Sequence, residues 1–193
     1  MTLAERWPGT AAWWQRLAAA YSEPHRRYHT LVHLEHLFAE AKAFEPLSPA
    51  LDWALWFHDF VYDSHSARNE EASAEVAAEA LAEMGVEAPV IARTQHLILA
   101  TRHLQSATEA DDETARLISL DLTILAAPAG RYDAYTAEVR QEYAHVSDED
   151  FRRGRGAFLK AFLARPQLFP HPAFAAREAA ARANLARELA ALA

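Results

Sequence analysis

The chain has 193 residues, a formal charge of −8 and no cysteine. This length suits one domain, spanning residues 1–193, with a substantial core. The acidic charge argues against a broad nucleic-acid surface, and the lack of cysteine excludes disulfides and thiolate metal sites. No apolar run approaches the roughly 18 residues of a membrane span, and the N-terminal residues do not resemble a signal peptide. We therefore expect a cytoplasmic protein outside the membrane.

The hydrophobic pattern predicts an all-α fold, a single compact helical bundle, because two-residue alternation is almost absent. Ser48 and Asn69 are placed to cap two of its helices. The first predicted helix lies around residues 13–21, and the second starts near residue 30. Six more helices are predicted at 49–60, 70–84, 89–103, 131–145, 148–163 and 173–192. The 49–60 helix is apolar almost all round, as is typical of a buried central helix.

His58 and Asp59 stand side by side at the end of this apolar helix. Burying two such side chains costs several kcal/mol unless they find partners. A second stretch carries His29, His33 and His36, whose spacings of four and three place neighbouring members on one helix face. Imidazole and carboxylate together suit Zn, Fe, Mn, Co or Ni. The two stretches predict a metal site, although spacing alone does not say which of the three histidines binds.

Asp121 is a further candidate ligand, because it interrupts the apolar run 120–125. An unpaired carboxylate there would be costly. Its alternative role is to cap a helix start by accepting backbone N–H bonds.

In order, His33, His58-Asp59 and Asp121 resemble the H…HD…D ligand pattern of the HD-domain superfamily of metal-dependent phosphohydrolases. Residues 28–33 also resemble the Tyr-His-Asn-x-x-His signature of cyclic-nucleotide phosphodiesterases, which are distant members. Further segments that resemble a bacterial family of predicted HD phosphohydrolases include 57–62, 69–74, 120–122, 140–143, 154–155 and 181–185. The resemblance therefore extends over most of the chain.

The resemblance implies that His33, His58, Asp59 and Asp121 bind a divalent metal ion (Mn, Mg, Fe, Ni, Co or Zn) that activates water. It also implies that His29 protonates the leaving oxygen. Thr30 stands where the phosphodiesterases have asparagine, so a helix-entry hydrogen bond is the alternative role of His29. Asp63 could orient water or act as a base, or it could cap its loop.

Other polar residues have two interpretations each. Asn69 and Glu70 could hold the second nitrogen of a ligand histidine or simply begin a helix. His103 could bind a second metal ion or complement a helix C-terminus. Four arginines could recognise phosphate, although ion pairs are their commoner role. These arginines are Arg26, Arg27, Arg140 and Arg155.

The expected function is metal-dependent hydrolysis of a phosphate mono- or diester of a small molecule, for which a nucleotide is one candidate. Two alternatives stay open. One is a non-catalytic HD module that binds metal or nucleotide for regulation. The other is a di-iron HD oxygenase, which would need ligands beyond these four.

Overall fold

The computed structural model describes residues 2–102 and 110–192. These residues form ten α-helices and three 3₁₀ helices, and no strand occurs among them. The prediction of an all-α fold is confirmed. The chain divides into two compact units, Met1–Ser106 and Ala107–Ala193. That one domain spans residues 1–193 stays a prediction.

The first unit contains six α-helices. They are α1 (Leu3–Arg6), α2 (Ala11–Ala20), α3 (Leu31–Ala41), α4 (Pro49–Phe57), α5 (Asn69–Glu83) and α6 (Ala88–Ala100), with a 3₁₀ helix at Lys42–Phe44. Helices α4, α5 and α6 pack against one another, and α3 packs against α4. Helix α4 is thus central to this unit.

Helix α4 is buried along Ala50–Phe57 because its side chains are apolar almost all round, with the half-buried Asp52, which pairs with Arg6, as the exception. The Ser48 hydroxyl accepts a hydrogen bond from the Leu51 amide, and Pro49 occupies the first turn, where proline needs no amide partner. Trp56 and Phe57 are fully buried and lie in a cluster of aromatic rings. This cluster contains Trp7, Trp13, Trp14, Phe38, Trp53, Trp56, Phe57 and Phe60. The cluster fixes the position of α4, whose C-terminal end leads into His58 and Asp59.

The second unit contains four α-helices. They are α7 (Asp112–Asp121), α8 (Ala129–Glu142), α9 (Asp148–Leu163) and α10 (Glu178–Leu192), with 3₁₀ helices at Leu122–Ala126 and Pro172–Arg177. Helix α10 packs against α9 and against both 3₁₀ helices. Between α9 and α10, the Arg155 guanidinium donates to Glu188, which also accepts from the Tyr132 hydroxyl. Burial and the adjacent Glu188 carboxylate raise the pKa of Tyr132 above its ordinary value.

Most helix boundaries lie within two residues of the predictions, but α6 ends at Ala100 and α8 at Glu142, each three residues before the predicted end. Helix α4 ends at Phe57 rather than at residue 60. Asn69 is the first residue of α5, not its cap, and Arg68 stands at the cap position, where its side chain makes no capping hydrogen bond. The predicted 173–192 helix begins as a 3₁₀ helix, and α10 starts only at Glu178. Among the described helices, none has the length and apolar character needed to cross a membrane.

Candidate metal centre

Three predicted ligands meet at the junction of α3 and the end of α4. His33 is on the first turns of α3, His58 is the C-cap of α4, and Asp59 follows it. The Nε2 atoms of the two histidines are 3.1 Å apart. Asp59 Oδ2 lies 3.0 Å from His58 Nε2 and 3.5 Å from His33 Nε2. Among the described residues, this is the one group of three such side chains whose donor atoms converge closely enough to hold one ion.

Burial separates the two kinds of ligand. The side chains of His33 and His58 are each 1% exposed, whereas that of Asp59 is 20% exposed. The imidazoles thus lie in the protein interior, and the carboxylate lies at its boundary with solvent. Solvent therefore reaches the cluster on the Asp59 side.

The hydrogen bonding of His58 Nδ1 directs the other ring nitrogen, Nε2, toward His33 and Asp59. Nδ1 of His58 lies 3.1 Å from the Leu55 carbonyl oxygen. A carbonyl oxygen can only accept, so we assign the proton to Nδ1. In the neutral ring, Nε2 then has a lone pair, and it faces His33 and Asp59. Such a second-nitrogen hydrogen bond fixes tautomer and ring orientation in many metal-binding histidines.

The separations of the three donor atoms fit one ion. Two ligand atoms that each lie about 2.1 Å from the same ion are about 3.0 Å apart at a right angle and about 3.4 Å apart at a tetrahedral angle. The observed separations are 3.0, 3.1 and 3.5 Å. Two imidazole nitrogens and one carboxylate oxygen also suit a borderline divalent cation. The group formed by His33, His58 and Asp59 can therefore hold a metal ion.

His29 lies beside the cluster rather than in it. Its half-buried ring stacks on Tyr62, with centroids 4.0 Å apart and planes at 25°. The centroids of the His29 and His33 rings are 6.0 Å apart. No separate role for Tyr62 is predicted from the sequence, and its one sequence signal is its position three residues after Asp59.

Asp121 is the last residue of α7, in the second unit, and is half-buried. It stands at the N-cap position of the 3₁₀ helix Leu122–Ala126, but its side chain makes no capping hydrogen bond. The capping alternative is therefore not what the structure shows. That Asp121 completes the ligand set stays a prediction.

Asp63 lies in the exposed loop between α4 and α5. Its Oδ1 accepts hydrogen bonds from the His65 amide at 2.8 Å and pairs with the His65 ring at 2.9 Å. These hydrogen bonds lower the pKa of the Asp63 carboxyl below its ordinary value. Its main-chain N–H and C=O are both bound by the Asn69 side chain. The structure thus gives Asp63 and Asn69 a role in loop geometry, and the catalytic role of Asp63 stays a prediction.

Glu70 and Glu71 pair with Arg102, which also donates to the Ala67 carbonyl. Neither Glu70 nor Asn69 takes the position at His58 Nδ1, because that nitrogen faces Leu55. His103, the candidate for a second metal ion, lies outside the described residues.

The four candidate arginines are engaged with the protein itself. Arg27 donates to the Pro24 carbonyl, and Arg140 donates to the Tyr143 and Val146 carbonyls and to Asp148. Arg155 pairs with Glu188. Arg140 and Arg155 thus make the ion pairs that are the commoner role of arginine, and the described contacts of Arg27 are with main-chain carbonyls.

Arg26 is buried and donates to three main-chain carbonyls.

Comparison of the chain with protein-family models, with curated proteins and with solved structures finds no match.

Proposed function

We propose that this protein is a metal-dependent phosphohydrolase of the HD-domain type. The observation that carries the proposal is the convergence of His33 Nε2, His58 Nε2 and Asp59 Oδ2 within 3.0–3.5 Å of one another. The order of these residues in the chain, with Asp121 after them, supports the same assignment through its resemblance to the HD ligand pattern.

His33, His58 and Asp59 would hold the divalent cation, and Asp121 is the proposed fourth ligand. A bound divalent cation polarises a phosphoryl oxygen and lowers the pKa of its water to about 7. The imidazoles of His33 and His58 are buried, and the partly exposed Asp59 is the proposed side of approach for a substrate.

His29 is the proposed proton donor to the leaving oxygen. Its half-buried ring is adjacent to the His33 ring, and an imidazole titrates in the range that general acid catalysis at neutral pH requires. Tyr62 stacks against the ring and limits its rotation. The donor is therefore held next to the cluster without being a ligand.

The proposed substrate is a phosphate mono- or diester of a small molecule, for which a nucleotide is one candidate. The net charge of −8 supports a small ester over a long nucleic acid, because polyanions are bound through clustered basic side chains. A cytoplasmic location belongs to the same proposal.

The test uses purified protein that is stripped with a chelator and reloaded separately with Mn²⁺, Mg²⁺, Co²⁺, Ni²⁺, Fe²⁺ and Zn²⁺. Each form is assayed on p-nitrophenyl phosphate, bis-p-nitrophenyl phosphate and a nucleotide panel. We expect metal-dependent release of product that is lost in Asp59→Asn. His96→Ala is the matched control, because His96 is exposed on α6. Metal uptake without any hydrolysis would favour the regulatory module, and no metal uptake would refute the proposal.

A further inference from the structure

Asp59 lies just beyond the hydrogen-bond ladder of α4. The helix ends at Phe57, and the His58 amide makes the last bond, to the Ala54 carbonyl. The main-chain N–H and C=O of Asp59 are instead bound by side chains from the segment between α2 and α3. A ligand aspartate outside regular structure needs such partners, because its backbone would otherwise sample several conformations.

The Tyr21 hydroxyl binds the N–H side of Asp59. It lies 3.3 Å from the Asp59 amide nitrogen and 3.1 Å from the Trp56 carbonyl oxygen. The hydroxyl accepts from the first and donates to the second, so it bridges the last turn of α4 and the ligand residue. Tyr21 is 1% exposed, and water therefore does not replace this bond easily.

The Arg26 guanidinium binds the C=O side. Its Nη1 donates to the Asp59 carbonyl and its Nη2 to the Phe60 carbonyl, each at 2.7 Å. Nη1 also donates to the His29 carbonyl at 3.2 Å, and Nε donates to Glu23 at 3.1 Å. The Arg26 side chain is completely buried. The planar guanidinium of Arg26 thus connects two segments of the chain. One precedes α3, the helix that contains His33, and the other follows α4 and contains Asp59.

We propose that Tyr21 and Arg26 are positioning residues that hold Asp59 at the distance from His33 and His58 needed for metal binding. This inference rests on the proposed metal site. The described hydrogen bonds of Tyr21 and Arg26 to Asp59 go to its main chain, so each residue acts through the Asp59 backbone. Partners that orient metal ligands from outside the coordination shell typically contribute about 10–100-fold to metal affinity. Lysine cannot replace Arg26, because one ammonium group does not reproduce a fork to two adjacent carbonyls.

The experiment measures Co²⁺ binding to the full chain by absorption titration, with thermal unfolding of each metal-free variant recorded alongside. Tyr21→Phe removes one hydroxyl and keeps the ring, and Arg26→Lys keeps the charge. The matched controls are Tyr132→Phe, which removes a buried hydroxyl bonded to Glu188, and Arg6→Lys, which removes a fork to Glu45 and Asp52. Neither control residue contacts Asp59 in the described hydrogen bonds.

We expect Tyr21→Phe and Arg26→Lys each to weaken Co²⁺ binding by about 10-fold or more and to change the Co²⁺ absorption spectrum. The two controls should lower the unfolding temperature and leave affinity and spectrum unchanged. If Arg26→Lys does not fold, Tyr21→Phe decides the question alone. Wild-type affinity and spectrum in the folded variants would overturn the inference but leave the metal site intact. Absence of Co²⁺ binding by the wild-type protein would overturn the metal site itself.

Discussion

Metal-dependent thermal stability gives the most quantitative test of the cluster. Because a folded-state ligand stabilises by RT ln(1 + [L]/Kd), a metal ion at 100 times its Kd adds about 2.7 kcal/mol to the free energy of unfolding. For a chain of this size, each kcal/mol raises the unfolding temperature by about 2–4 °C. Wild-type protein should therefore unfold about 5–11 °C higher with metal than with chelator.

Asp59→Asn should remove most of this shift. Asp59 supplies the only anionic donor of the three converging atoms, 3.0 and 3.5 Å from the two imidazole nitrogens. We expect the loss of a direct ligand to weaken metal binding at least as much as the loss of a strong outer-shell partner, about 100-fold. At the same metal concentration, the metal then adds only about 0.4 kcal/mol to the free energy of unfolding, which raises the unfolding temperature by about 1–2 °C. Differential scanning calorimetry with Co²⁺ and with chelator measures both proteins. His96→Ala should retain the full shift, and an undiminished shift in Asp59→Asn would refute the reasoning.

Three further predictions concern residues around the cluster and on the surface. His29→Gln should lower kcat by about 10²–10⁴ and leave the Co²⁺ affinity unchanged in the same absorption titration; loss of both would make His29 a ligand. Asp63→Asn separates the two predicted roles of Asp63, whose Oδ1 is engaged with His65: in a steady-state assay, a loss of kcat above 100-fold is the result of a catalytic role, and a change below 10-fold contradicts that role and leaves only loop geometry. The Arg140 guanidinium lowers the pKa of Asp148, so the stability that this pair contributes is present above the ordinary carboxyl pKa and is lost as the pH falls through the lowered value. Asp148→Asn should accordingly flatten the loss of stability below about pH 4, measured by urea unfolding at several pH values, and an unchanged slope would argue against this pair.

Local signals in the sequence were sufficient for most of the fold. Helix α9 begins at Asp148 and ends at Leu163 as predicted, because Ser147 caps it and three acidic residues occupy its first turn. The start of α4 at Pro49 follows from Ser48 in the same way. Capping residues and first-turn charges interact with the backbone only three or four residues away, and so they can be recognised in the sequence.

Contacts between distant residues account for what the sequence did not reveal. Helix α4 ends three residues early, where the Asp59 amide and carbonyl bind Tyr21 and Arg26, which lie 38 and 33 residues away. The sequence allows a phosphate-binding role for Arg26, and only the folded structure shows that its buried guanidinium donates to main-chain carbonyls. Helix propensity contains no information about such partners.

The ligand set was predictable in part. His33, His58 and Asp59 could be selected because polar side chains in apolar surroundings need partners, and the structure brings these three together. Spacing could not choose among His29, His33 and His36, since neighbouring members of that series share a helix face. The stacking of His29 on Tyr62 depends on the path of the loop after Asp59, which no local pattern describes.

The most direct test of the metal centre is a crystal structure of the metal-loaded protein with anomalous diffraction measured at the absorption edge of the ion. We predict one anomalous peak about 2.0–2.2 Å from His33 Nε2, His58 Nε2 and an Asp59 carboxylate oxygen, with Asp121 as the fourth protein ligand. A peak that shares none of these atoms, or its absence in fully loaded protein, would contradict the account.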